Sequence, residues 1–120
     1  METESTSKPL FNPRVLGDDI SFRSQHTSTL VGMNIITIGG SGRDALGQMT
    51  VFHDVVAFNL ANKTVEQIQV EGELFSARKG HTACLYGRNQ IVIFGGSDSD
   101  GVKKDVGILT LNDGDGNKFL

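Results

Sequence analysis

The sequence predicts an all-β chain built from a duplicated unit of about four strands. Three observations carry this reading. A set of residues recurs at a nearly constant offset, β-branched runs are bounded by Gly and Asn, and no segment shows a helical period. Glycine supports it: 15 of 120 residues are Gly but only 2 are Pro, which points to tight turns at repeated places rather than to a flexible linker.

The recurrence is specific. Arg23-Ser24-Gln25-His26-Thr27 returns as Arg78-Lys79-Gly80-His81-Thr82, and Gly17, Ser21, Leu30 and Gly32 return at Gly72, Ser76, Leu85 and Gly87, all 55 residues on. The pair Gly39-Gly40 returns as Gly95-Gly96 at an offset of 56, so the intervening turn has gained a residue. Asp54-Val55 returns as Asp105-Val106 at 51, so the loop after the second glycine pair is five residues shorter.

Each copy divides into strands. Residues 27–31 and 82–86 are short apolar-rich runs ending at a Gly/Asn turn, the mark of a hairpin. Residues 35–38 and 91–94 follow at once, β-branched and apolar on both faces, and are expected to be buried. A polar loop leads to residues 54–60 and 105–111, two more strands. Residues 65–70 alternate imperfectly, as a half-exposed outer strand would. Residues 10–16 align with the segment before Arg78 and are expected to form an outermost strand, since Pro13 is tolerable only at an edge.

These residues resemble the kelch repeat, the unit of kelch-type β-propellers. The pattern Arg-x-Gly-His-x-Ala, an apolar strand ending in Gly-Gly, then Asp-Val, is carried by Arg78, Gly80, His81, Ala83, Gly95, Gly96, Asp105 and Val106. The first copy carries it with Arg23, His26, Gly39, Gly40, Asp54, Val55 and the aromatic Phe58. Gln25 stands in place of the first glycine, Leu109 in place of the second aromatic, and Val65 where the family has Trp. The resemblance implies two four-stranded antiparallel blades of a β-propeller, incomplete as a single chain. It divides the sequence into a disordered polar tail (1–9), the outer strand and linker of a preceding blade (10–22), a first repeat (23–77), and a second lacking its outer strand (78–120). Two blades do not close a ring. Further blades are therefore expected, either in cis, with this chain a piece of a longer propeller, or in trans, with copies joining head to tail.

Chemistry is sparse. Residues 40–45, Gly40-Ser41-Gly42-Arg43-Asp44-Ala45, fit a dinucleotide-binding fingerprint, but that motif requires a following helix and none is predicted. His26 and His81 recur with their arginines and read as scaffold, with Arg23 expected to pair with Asp54 and Arg78 with Asp105. Asp98-Ser99-Asp100 and Asp113-Gly114-Asp115 read as solvated turns rather than calcium loops. Cys84, the single cysteine, rules out an intrachain disulfide and is expected to be a small buried side chain.

Eleven Lys and Arg against 14 Asp and Glu leave a net charge of −3, which argues against a nucleic-acid surface covering the whole protein. No apolar run is long enough for a membrane span, and the first residues lack the basic flank and apolar run of a signal peptide. A cytoplasmic protein is expected, with the nucleus left open. No catalytic set, metal site or cofactor is expected. The resemblance implies a non-enzymatic adaptor or scaffold binding a protein through its blade loops. The polar groups available there are Arg43, Asp44, His53, Asp98, Asp100, Lys103 and Lys104. The alternative is the propeller part of a larger oxidase, specifier or RNA-modifying enzyme.

Overall fold

The computed structural model describes residues 16–17, 22–70 and 76–111, with Leu16 and Gly17 described by their backbone alone. Every regular element among them is a β-strand. The first blade is built from β3 (Thr27–Val31), β4 (Asn34–Ile38), β7 (Val55–Asn59) and β8 (Thr64–Ile68), antiparallel throughout and ordered β8-β7-β4-β3. The second repeats this with β9 (Thr82–Tyr86), β10 (Gln90–Phe94) and β13 (Val106–Thr110), ordered β13-β10-β9.

The register explains the offsets. Val31 pairs with Asn34 across a two-residue turn, whereas Tyr86 pairs with Gln90 across three, so the residue gained between the copies lies in this turn. The strand ends are tied alike, by Leu60 N–H to Met33 O and by Leu111 N–H to Asn89 O, each at 2.8 Å. The loops after the glycine pairs are hairpins rather than irregular segments. β5 (Ser41–Arg43) pairs with β6 (Met49–Val51) and with β2 (Arg23–Ser24), and β11 (Ser97–Asp98) pairs with β12 (Gly101–Val102).

The core lies between the two blades. Val31, Ile36, Ile38, Val55 and Ala57 of the first meet Ile91, Ile93, Leu109 and Leu111 of the second, where apolar side chains leave water. Three expectations change here. Residues 35–38 and 91–94 are buried on one face only: Ile91 and Ile93 are covered, Val92 is half-buried and Phe94 is exposed. Cys84 is exposed, because the face of β9 that carries it has no sheet against it among the described residues. β1 (Leu16–Gly17) lies parallel to β8, on the outer edge of the first blade rather than in a preceding one, where it covers otherwise unpaired backbone groups. The rest of the expected outer strand, residues 10–15, lies outside the described residues, as do the tail 1–9 and residues 112–120.

Candidate functional site

Two arginine clamps fix the inner architecture. Arg23 donates from Nη1 and Nη2 to the two oxygens of Asp54 at 2.5 and 2.9 Å, and from Nη1 to Gly39 O at 3.2 Å. Arg78 repeats the arrangement on Asp105, at 2.8 Å to each oxygen, and on Gly95 O at 3.0 Å. Each fork matches a carboxylate and so ties the start of a repeat to its glycine pair and its third strand. The Arg23 guanidinium also lies 4.3 Å over the Phe52 ring. Hydrogen bonding from Arg78 holds the Asp105 carboxyl below the usual carboxylate range.

The two histidines differ. His81 is buried, with Nε2 2.9 Å from Thr27 Oγ1 of the first blade. Burial, and secondarily the Arg78 charge, push its pKa below the ordinary value. Its Nδ1 is buried as well, and a backbone hydrogen bond to Ile38 partly offsets the lowering. His26, at the equivalent place in the first repeat, is exposed. Arg23, Arg78 and His81 are engaged with carbonyls, a carboxylate or a hydroxyl of the scaffold, and none of them is arranged around a reacting atom.

The rim is different. Hairpins β5–β6 and β11–β12 project from the ends of β4 and β10, immediately after the glycine pairs, and reach different lengths. Four of the polar residues picked out by sequence hold these turns together. Asp44 Oδ1 accepts from Leu46 N–H and Gln48 N–H, both at 2.9 Å, and Arg43 Nη1 donates to Gly47 O at 2.8 Å. Asp98 accepts from Lys103 Nζ and from Asp100 N–H, each at 2.8 Å, and the Lys103 bond lowers its pKa. The side chains of His53, Asp100 and Lys104 are exposed, and no hydrogen bond or ion pair engages them among the described residues.

Between the hairpins lies an open cleft of about 440 Å³. Ser41, Met49, Thr50 and Val51 form one wall, and Lys79 and Asp98 stand on the other side. Lys79 is fixed there by reciprocal backbone bonds with Ser97, both 2.9 Å. Of the residues picked out by sequence only Asp98 lines this cleft. Met49 and Lys79 were missed, although Leu46 and Met49 are large apolar residues in a loop that follows the glycine pair, and both are exposed.

Residues 2–115 match the family described as the KLHDC2/KLHL20/DRC7 Kelch-repeats domain. The chain is a kelch-repeat protein. Among curated proteins it is 28% identical over 87 residues to the tRNA wybutosine-synthesizing protein 2/3/4 of Oryza sativa subsp. japonica, covering 72% of this chain and 8% of that protein. It is 35% identical over 78 residues to the Rho GTPase-activating protein gacHH of Dictyostelium discoideum, covering 65% of this chain and 5% of that one. The kelch chain thus spans under a tenth of the length of either relative. The solved structure of YjhT superposes with a TM-score of 0.56 at 24% identity, over 63% of this chain and 21% of that one, and shows the same fold over that share.

Proposed function

We propose that this kelch chain is a non-enzymatic interaction module that holds a protein partner on its rim hairpins, in the cytoplasm and without a cofactor. The observation that supports this is the cleft between β5–β6 and β11–β12. It sets exposed Met49 and half-buried Val51 on the short strand β6, opposite charged Lys79, which an isolated bridge ties to Ser97. The repeated Arg23, Asp54, Arg78 and Asp105, by contrast, are taken up in the scaffold. A rigid frame with variable loops binds at those loops. The chemistry suits an extended peptide with an apolar side chain against Met49 and Val51 and an acidic group near Lys79. Nucleic acid and membrane are not the expected partners, and similarity to a protein named a Rho GTPase-activating protein is compatible with an adaptor.

A photo-crosslinking residue at Met49, compared with one at the exposed Glu66 on the outer strand, tests this in the full chain. A discrete protein adduct from position 49 and none from position 66 is expected. Adducts from position 66 alone would overturn the assignment of the rim.

A second reading rests on the similarity to the wybutosine-synthesizing protein: the chain as part of a larger RNA-modifying enzyme. Saturable binding of unmodified tRNA by this chain, lost when Lys79 and Lys104 are changed to Glu, would favour that reading.

A further inference from the structure

The open face of the second blade is the repeat counterpart of the face with which the first blade grips the second. In the first blade this face carries Val31, Ile36, Ile38, Val55 and Ala57, each at most 4% exposed. The repeat offsets place Tyr86, Val92, Phe94, Val106 and Ile108 at the same positions. Tyr86 is 67% exposed, Phe94 54%, Val106 59% and Ile108 62%. Paired strands bring them onto one side: Val92 faces Cys84 and Ile108, and Phe94 faces Thr82 and Val106. Side chains of this size on one sheet face form a contiguous apolar surface of the kind that marks an interface.

The joint between the two blades shows what fits such a face. There the first blade supplies Thr27 to His81, Gly40 N–H donates to Arg78 O at 2.9 Å, and Gln25 O accepts from Gly80 N–H at 2.9 Å. On the open face Thr82 stands where Thr27 does, and Gly96 where Gly40 does. The complementary half is present in the same chain. The exposed His26 is the counterpart of His81, and Ile35, Thr37 and Phe58 are half-buried at the positions of Ile91, Ile93 and Leu109.

We propose that the second blade docks the first blade of another copy of this chain, head to tail, repeating the joint already formed within it. Such an interface is heterologous, and it closes when the blades complete a propeller, which takes about two to four copies at four to eight blades. The joining unit is a whole blade face, so it requires no exchange of strands between copies.

Two variants of the full chain test this by light scattering on a sizing column over a concentration series. Ile108→Asp blocks the open face of the second blade. Thr37→Lys blocks the opposite face of the first, at the position where Ile93 is buried. Ile108 is exposed and Thr37 half-buried, and melting curves matching the parent certify folding of each variant. The parent is expected to run as a discrete multiple of 12.9 kDa and each variant alone at 12.9 kDa. Mixed in equal amounts, the variants are expected to form a species of twice that mass and no larger, because each retains the face the other lacks. A parent that stays at 12.9 kDa or forms only polydisperse aggregate would overturn the proposal, as it would if the open face were covered only by further blades in cis. A parent dimer unaffected by Thr37→Lys would also overturn it, revealing a symmetric face-to-face contact instead.

Discussion

His81 Nε2 sits 2.9 Å from Thr27 Oγ1, so a side chain at the start of one repeat is held by a hydroxyl at the start of the other. The contact couples the two blades to a titratable group. Burial depresses the folded-state pKa of His81, while the unfolded chain binds its proton near 6.5. Protonation therefore favours the unfolded state. Stability is full above pH 6.5 and falls as the pH drops through the lowered folded-state value. Urea unfolding at pH 7.5 and pH 5 should show this loss, and His81→Gln should flatten the dependence across that interval. An unchanged slope in the variant would assign the loss to another group.

The two arginine clamps are not interchangeable with lysine. Arg78 is completely buried and uses Nε, Nη1 and Nη2 on Ser76 O, Gly95 O and Asp105. Arg78→Ala leaves a void and unpaired carbonyls, a loss of about 3 kcal/mol or more. Arg78→Lys should recover little of it, since a point charge cannot span both carboxylate oxygens and the carbonyls. Thermal melts of the two variants check this. Asp105 sets a separate acid limit: its pKa is lowered in the folded state, so its contribution is present above the ordinary 3.8 and is lost as the pH falls through the lowered value.

Gly39 and Gly95 occupy the same repeat position with φ near +64° and +73°, yet their surroundings differ. A methyl group on Gly39 would lie 2.6 Å from Arg78 O and 3.0 Å from His81 Cε1, whereas on Gly95 its nearest contact is Lys103 O at 3.8 Å. Both alanine variants carry the left-handed backbone cost of about 1 kcal/mol. Only Gly39→Ala should add a clash with the second blade. Denaturant unfolding should therefore rank Gly39→Ala well below Gly95→Ala. Equal losses would mean that backbone strain alone decides.

Gln25 adopts φ +59°, where Gly80 in the second repeat adopts +69°. A glutamine in this region is strained, and its backbone carbonyl still has to receive Gly80 N–H. Gln25→Gly should stabilise the protein by about 1 kcal/mol and raise its melting temperature by a few degrees. Gly80→Ala should do the reverse.

The frame was legible in the sequence because its signals are local and doubled. Arg23 and Arg78, the glycine pairs and Asp54 and Asp105 recur in register, and a repeated joint must use the same residue types twice. What covers each face was not legible. Val92 and Phe94 read as buried because apolar residues alternate with apolar residues, but burial depends on a second sheet, and strand pattern alone does not supply one. Cys84 was misread for the same reason. At the rim, Asp44 and Asp98 stand among the polar groups read as available to a partner, whereas a short carboxylate beside turn residues accepts its own backbone N–H groups first. Met49 and Lys79 come together only through tertiary packing between repeats, so their proximity had no sequence signal.

The five-residue difference between the two post-glycine loops makes the rim lopsided. β5–β6 is the taller wall and carries Leu46 and Met49, while β11–β12 is the shorter and is braced by the Asp98–Lys103 ion pair. A groove with one greasy high bank and one charged low bank has a left and a right. An extended chain lying in it would meet different neighbours if its direction were reversed, so the duplicated frame, symmetric by descent, ends in a rim that has lost that symmetry.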